Sequence, residues 1–206
     1  MSTINADNLT VQNLTVSGTL AYSSVTAQVS GHPAGTPLEV LSGRCNGEGV
    51  TVGSGTYIFP SVTAYQAAGS VSWIDIIGSE IAYTPPSGTK RVLWDFQFSE
   101  AAQDGTDVII SYKPLIDGTI LTNSYRGGGF YRNGTNTFRT IINCDAASDD
   151  AANGNFTSWS SAKTLKWQLY NYSTSFDAYL HTSYYWEATG SFQHLMVPTI
   201  TITALA

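Results

Sequence analysis

The 206 residues carry 12% charged and 12% aromatic side chains and a formal net charge of −6. So little charge beside so many aromatics excludes disorder, which needs low hydrophobicity and high charge. The nine Lys and Arg, spread from Arg44 to Lys166 without a basic stripe, exclude a phosphate-backbone footprint, so no nucleic-acid partner is expected.

Residues 1–30 read as an extended arm rich in Thr, Val, Ser and Asn. The unit Asn-Leu-Thr-Val occurs twice, at Asn8–Val11 and Asn13–Val16. The apolar residues of the arm are Ile4, Leu9, Val11, Leu14, Val16 and Leu20, too few to bury one another. Within each unit the Leu and Val share one face of a strand, but the repeat step of five flips that face between units. A single flat sheet cannot bury both pairs on one side. The six residues therefore predict an anchoring arm that lies on another chain, its backbone hydrogen bonds completed at a partner's sheet edge.

A Gly/Pro hinge follows at residues 31–37 (GHPAGTP), and every Trp, Lys and Arg comes after it. Residues 38–206 are expected to form one β domain. Val71–Ile77 reads as a strand. Arg91–Ser99 is the clearest one, with Val92, Trp94, Phe96 and Phe98 on one face and Asp95, Gln97 and Ser99 on the other with Leu93. Val108–Tyr112 comes next, then Asp117-Gly118, which carries the chemistry of a tight hairpin turn. Further strands are expected at Ile120–Tyr125, Phe138–Cys144, Leu165–Tyr172 (Leu165, Trp167 and Leu169 inward), Tyr179–Trp186 and Leu195–Leu205. No window holds a helical apolar stripe, and short strands spaced by turns suit an all-β sandwich or barrel. No apolar run approaches the ~18 residues of a membrane helix, and no membrane partner is expected.

No basic leader with an apolar stretch opens the sequence, so synthesis in a reducing cytosol is expected. Cys45 and Cys144, too far apart for a CxxC site, are then expected as buried free thiols, with a disulfide as the alternative. The loop 145–162 holds Asp145, Asp149, Asp150, Asn153 and Asn155, oxygen ligands that Ca²⁺ could use, but without the EF-hand arrangement. A solvated loop tip is the expectation, and no metal or other cofactor is predicted.

Trp159, Tyr170, Tyr172, Tyr184, Tyr185 and Trp186 are the candidates for a carbohydrate platform, since aromatic faces bind sugar C–H surfaces while polar groups fix orientation. Trp159, Tyr184 and Trp186 are the leading candidates for glycan binding. Trp159 stands first, because a long polar loop is where burial is least expected. Aromatics serve equally as β core or as an interface between copies. Catalysis is not expected. His32, His181 and His194 are isolated, no Gly-x-Ser-x-Gly elbow occurs, and no carboxylate pair is selected by spacing.

Several motifs, taken in order, resemble virion fibre and appendage proteins of tailed phages, marine cyanophages above all. They are the Met1–Ile4 opening before a polar β-prone arm, and the Ser79–Phe98 pattern of Thr-Pro, a Ser/Gly turn, a basic residue and an alternating strand. Tyr125-Arg126-Gly127, Tyr131-Arg132-Asn133 and the closing strand Pro198–Leu205 complete them. The resemblance covers residues 1–20 and about 79–205. It implies a two-sheet jelly roll of TNF/C1q type that forms a homotrimer. The implied function is a non-enzymatic structural protein of the virion, made in the host cytoplasm. In it residues 1–30 anchor a fibre knob to other virion proteins (capsid, portal or tail) and the knob touches host-surface glycan. The alternative is a capsid decoration, or cement, protein that stabilises the head. A glycan-modifying enzyme is the least favoured reading.

Overall fold

Alternating side chains broken by turn formers commit this chain to short antiparallel strands. The computed structural model describes residues 32–69, 71–102, 107–131, 133–173, 178–184 and 192–206. The anchoring-arm residues Ile4, Leu9, Val11, Leu14, Val16 and Leu20 lie outside them. Within the unit Pro33–Ala206 the strands are β1 (Pro37–Arg44), β2 (Gly49–Val52), β3 (Gly55–Ile58), β4 (Gln66–Ala67), β5 (Ile74–Asp75), β6 (Ile81–Tyr83), β7 (Arg91–Ala102) and β8 (Asp107–Ile116). They continue with β9 (Thr119–Ile120), β10 (Arg126–Tyr131), β11 (Asn133–Asn143), β12 (Lys163–Asn171), β13 (Ala178–Leu180), β14 (Thr182–Tyr184), β15 (Phe192–Leu195) and β16 (Thr199–Leu205).

The pairing is that of one long hairpin rolled on itself. β1 pairs β16, β6 pairs β12, β7 pairs β11 and β8 pairs β10, all antiparallel. Rolling brings β16 onto β7 and β12 onto β8. Two six-stranded sheets result, one built on β1-β16-β7-β11 and the other on β6-β12-β8-β10, with short β13 and β4 extending the first and β5 and β9 the second. That strand order is a jelly roll, the two-sheet all-β fold expected from the sequence.

The core lies between the inner faces. Val92, Trp94, Phe96 and Phe98 of β7 are at most 2% exposed, as are Leu165, Trp167 and Leu169 of β12. Rings connect the sheets: Trp94 to Trp167 at 5.6 Å, Trp167 to Phe138 at 4.8 Å and Phe138 to Tyr112 at 4.8 Å between centroids. Cys45 and Cys144 are buried and unpaired, and burial pushes both thiols up to about 12, which leaves them poor nucleophiles.

Asp117 and Gly118 both have positive φ, 47° and 79°, as a two-residue hairpin turn between β8 and β9 requires. Other expected strands are cut short. The run Ile120–Tyr125 stops at Ile120 because Leu121 dives into the core and Thr122–Ser124 turns in a 3₁₀ coil. Tyr179–Trp186 breaks at His181, whose φ is 63°, and Leu195–Leu205 breaks around Pro198.

One buried carboxylate ties the early strands to the body. Glu39 on β1 accepts hydrogen bonds from Ser54 N (2.7 Å), Ser54 Oγ (2.6 Å) and Tyr83 Oη (2.9 Å). Tyr57 Oη lies 2.8 Å from Ser54 Oγ and donates to the Thr84 carbonyl. Tyr83→Phe removes one donor from a carboxylate that stays buried. It is expected to cost about 1.5 kcal/mol in urea unfolding, and an unchanged midpoint would show that Ser54 alone satisfies Glu39.

Candidate glycan-binding face

Strand parity decides what each sheet shows to solvent. In β12, Leu165, Trp167 and Leu169 turn inward, so Lys166, Gln168 and Tyr170 face out. In β8, Ile110 and Tyr112 turn inward, so Ile109, Ser111 and Lys113 face out. The register then builds two rows across the sheet. Tyr170 stands opposite Ser111, which stands opposite Gly127, and Trp73 precedes the Ile74 that pairs Leu169. In the next row Asp75 stands opposite Gln168 and Gln168 opposite Lys113, with Tyr125 beside them at the start of β10.

Trp73 organises this face. Its indole lies 5.6 Å from the Tyr170 ring and 6.0 Å, edge to face, from Tyr125. Lys113 Nζ sits 4.1 Å from the centre of the same indole. Reaching from β5 toward β10, Trp73 roofs Lys113, which is 7% exposed. Burial pushes the Lys113 ammonium below the usual lysine range. Beside it, Asp75 accepts from Lys166 Nζ (2.8 Å) and Gln168 Nε2 (2.7 Å). Burial pushes the Asp75 carboxyl up, but these two bonds outweigh it and hold the group below the usual carboxylate range.

The edge of the face is low and apolar. Tyr172 (68% exposed) donates its backbone N–H to the carbonyl of Ile109 (52% exposed). Ile109 pairs Gly129. A Cβ at Gly127 or Gly128 would meet nothing within 4 Å, so these glycines do not make room for a neighbour. Their effect is to leave a bare strip of backbone beside Ser111. Ring faces, bare backbone and a few fixed polar groups are what a saccharide needs: C–H surfaces stack on rings while amides, hydroxyls and charges orient the sugar.

Of the aromatics singled out in sequence, Tyr170 and Tyr172 belong to this face. Trp159 does not. It is 6% exposed, packed against Phe156 (5.9 Å) and edge-on to Tyr83 (6.2 Å). The expectation that its loop leaves it open fails because the loop folds back on the body. Asn143 N donates to the Gly154 carbonyl, Phe156 N to the Asn143 carbonyl, and Asn143 Nδ2 to Asn155 Oδ1. What remains near Trp159 is a groove of about 330 Å³, walled also by Pro85, Pro86, Ser87, Ser158 and Ser160. Tyr184 lies on β14, its side chain outside what the structure describes, and Trp186 falls outside the described residues.

The acidic loop is likewise committed to itself. Asp149 Oδ1 accepts from Thr157 N and Oγ1, and Asp150 accepts from Asn153 N and Nδ2. Among the described residues no group of three or more His, Cys, Asp or Glu could hold a metal ion.

Sequence reading missed Trp73, Tyr125 and Lys113 as parts of one site. The outward parity of Tyr170 and Tyr172, opposite to Leu165, Trp167 and Leu169, was the available signal. Comparison of the chain with models of known protein families and with curated proteins finds no match.

Proposed function

We propose that this chain is a non-enzymatic structural protein of a tailed-phage virion, a homotrimeric fibre knob held to the particle by residues 1–30 and reading host-surface glycan. The observation that carries the glycan part is the Trp73–Tyr170–Tyr125 cluster laid on an open sheet face beside bare glycine backbone. The phage part rests on the motif resemblance, which implies the jelly-roll strand order that this chain has. For the trimer, the opposite sheet offers an outer cross-strand row of Val40 (53% exposed), Thr203, Leu93 and Ile141 (57% exposed) on which copies would pack.

Trp73→Ala tests the glycan reading. An aromatic anchor at the centre of a contact is worth about 2 kcal/mol or more, so affinity for isolated host surface polysaccharide is expected to fall on the order of 30-fold by calorimetry. Wild-type protein that binds no host polysaccharide sinks the reading. Deleting residues 1–30 should leave a trimer that no longer joins particles. Particles lacking the protein should lose adsorption. Intact adsorption with heat-fragile heads would instead identify a cement protein.

A further inference from the structure

The charge balance on the glycan face is incomplete, and the missing charge says what kind of sugar belongs there. Lys90 pairs with Asp145 at 2.7 Å, Lys163 with Asp117 at 3.5 Å and Lys166 with Asp75 at 2.8 Å. Lys113 is the remaining lysine, the most enclosed of them, and it has no carboxylate partner among the described residues. The acid in the same cross-strand row, Asp75, is already engaged by Lys166 and Gln168. What Lys113 has is the indole face of Trp73, at 4.1 Å.

A cation over an aromatic ring gains about 0.5–2 kcal/mol. Withdrawing an ammonium from water costs several kcal/mol unless an anion answers it. An uncharged methionine would pack under Trp73 without that cost. On the next strand, Gly127 stands opposite Ser111 with open space where a side chain would be, which leaves the approach to this row unobstructed.

We propose that the outer face binds an acidic saccharide, a sugar bearing a carboxylate or a phosphate, and that Lys113 pairs with that acidic group while Trp73, Tyr125 and Tyr170 hold the ring. This rests on the glycan reading of the face and names its ligand class. In outline, the acid group enters beside the indole edge, and the sugar lies along the Ser111–Gly127 strip.

The test uses the full chain and three probes of matched size: a neutral oligosaccharide, an oligouronate and a phosphorylated oligosaccharide. Wild type is expected to bind at least one acidic probe about tenfold or more tightly than the neutral one at low salt, with the margin shrinking at high salt. Which acidic probe wins distinguishes carboxylate from phosphate. Lys113→Met should bring acidic binding down to the neutral level, and Lys113→Arg should retain most of the preference. The thermal midpoint of Lys113→Met should equal or exceed wild type, since an unanswered charge has gone; a clear loss of stability would assign Lys113 a structural role and overturn the proposal. Equal wild-type affinity for neutral and acidic probes overturns it while leaving the glycan reading standing. If no probe of either kind binds, the glycan reading itself falls.

Discussion

Acidification from pH 7 to pH 4 is expected to cost the fold roughly 3 kcal/mol through His181 alone. The ring is fully buried between β13 and β14, edge-on to Phe98. Its Nε2 lies 2.7 Å from the Ile77 carbonyl and so carries the proton, which leaves Nδ1 bare, buried and without a partner. Burial pulls the group down to about 4, against the smaller opposing effect of the Ile77 bond. Above pH 6.5 neither the folded nor the unfolded chain protonates this histidine, and its full contribution stands. Between pH 6.5 and about 4 the unfolded chain takes a proton that the folded one refuses, so stability falls as pH falls, and below about 4 the loss is complete.

Glu100 works in the opposite sense. It is 5% exposed, and burial raises its carboxyl above the usual range despite the hydrogen bond it accepts from Tyr112 Oη. The stability it contributes is full below its unfolded value near 4.5 and is lost as pH rises through its raised one. The two slopes oppose each other just above pH 4.5, and below it His181 acts without that offset. His181→Gln removes the titrating ring and carries an amide Nε2 that reaches as far as the imidazole Nε2, so it can still donate to the Ile77 carbonyl. Urea unfolding at pH 7, 5 and 4 should show the acid loss shrinking by most of the 3 kcal/mol in this variant. Parallel pH profiles for variant and wild type would mean that the histidine charges freely in the fold.

How much of this molecule can be read from its sequence depends on the range of the interaction concerned. β7 and β12 are legible because alternation is local: Val92 to Phe98 and Leu165 to Leu169 each present one apolar face within a single strand. The first strands are not, because Glu39 occupies an inward position of β1 and the β2–β3 hairpin has only four residues a side. An inward acid erases the alternation that a sequence reading depends on, and its donors, Ser54 and Tyr83, come from elsewhere in the chain. The candidate site divides the same way. Outward Tyr170 and Tyr172 follow from parity, whereas Trp73 meets Lys113 only through the pairing of β5 with β12 and of β12 with β8. Trp159 misleads for a complementary reason. Its loop looks solvated by composition, but Asn and Asp side chains there satisfy backbone groups and fold the loop down.

Replacing Trp167 separates packing from polar burial at the centre of the sandwich. The side chain is fully buried, flanked by Trp94 and Phe138, and its backbone is clamped by Ser79, whose Oγ accepts from Trp167 N and donates to the carbonyl of Ile76, and by Ile76, whose N–H donates to the Trp167 carbonyl. Trp167→Ala opens a cavity between two sheets that cannot close without moving both, and about 3–5 kcal/mol is expected in urea unfolding. Trp167→Phe should cost far less, about 1 kcal/mol. The smaller ring forfeits some contacts, but it also removes Nε1, a buried donor with no partner, whose desolvation weighs roughly 1–3 kcal/mol against the fold. Because Trp167 points inward and its neighbours Lys166 and Gln168 point outward, the Phe variant should also keep its saccharide affinity. An equally large loss for both variants would mean that Nε1 is satisfied, by a buried water for example. The same argument would then apply to Trp94, whose Nε1 is sealed in the same way against the facing sheet.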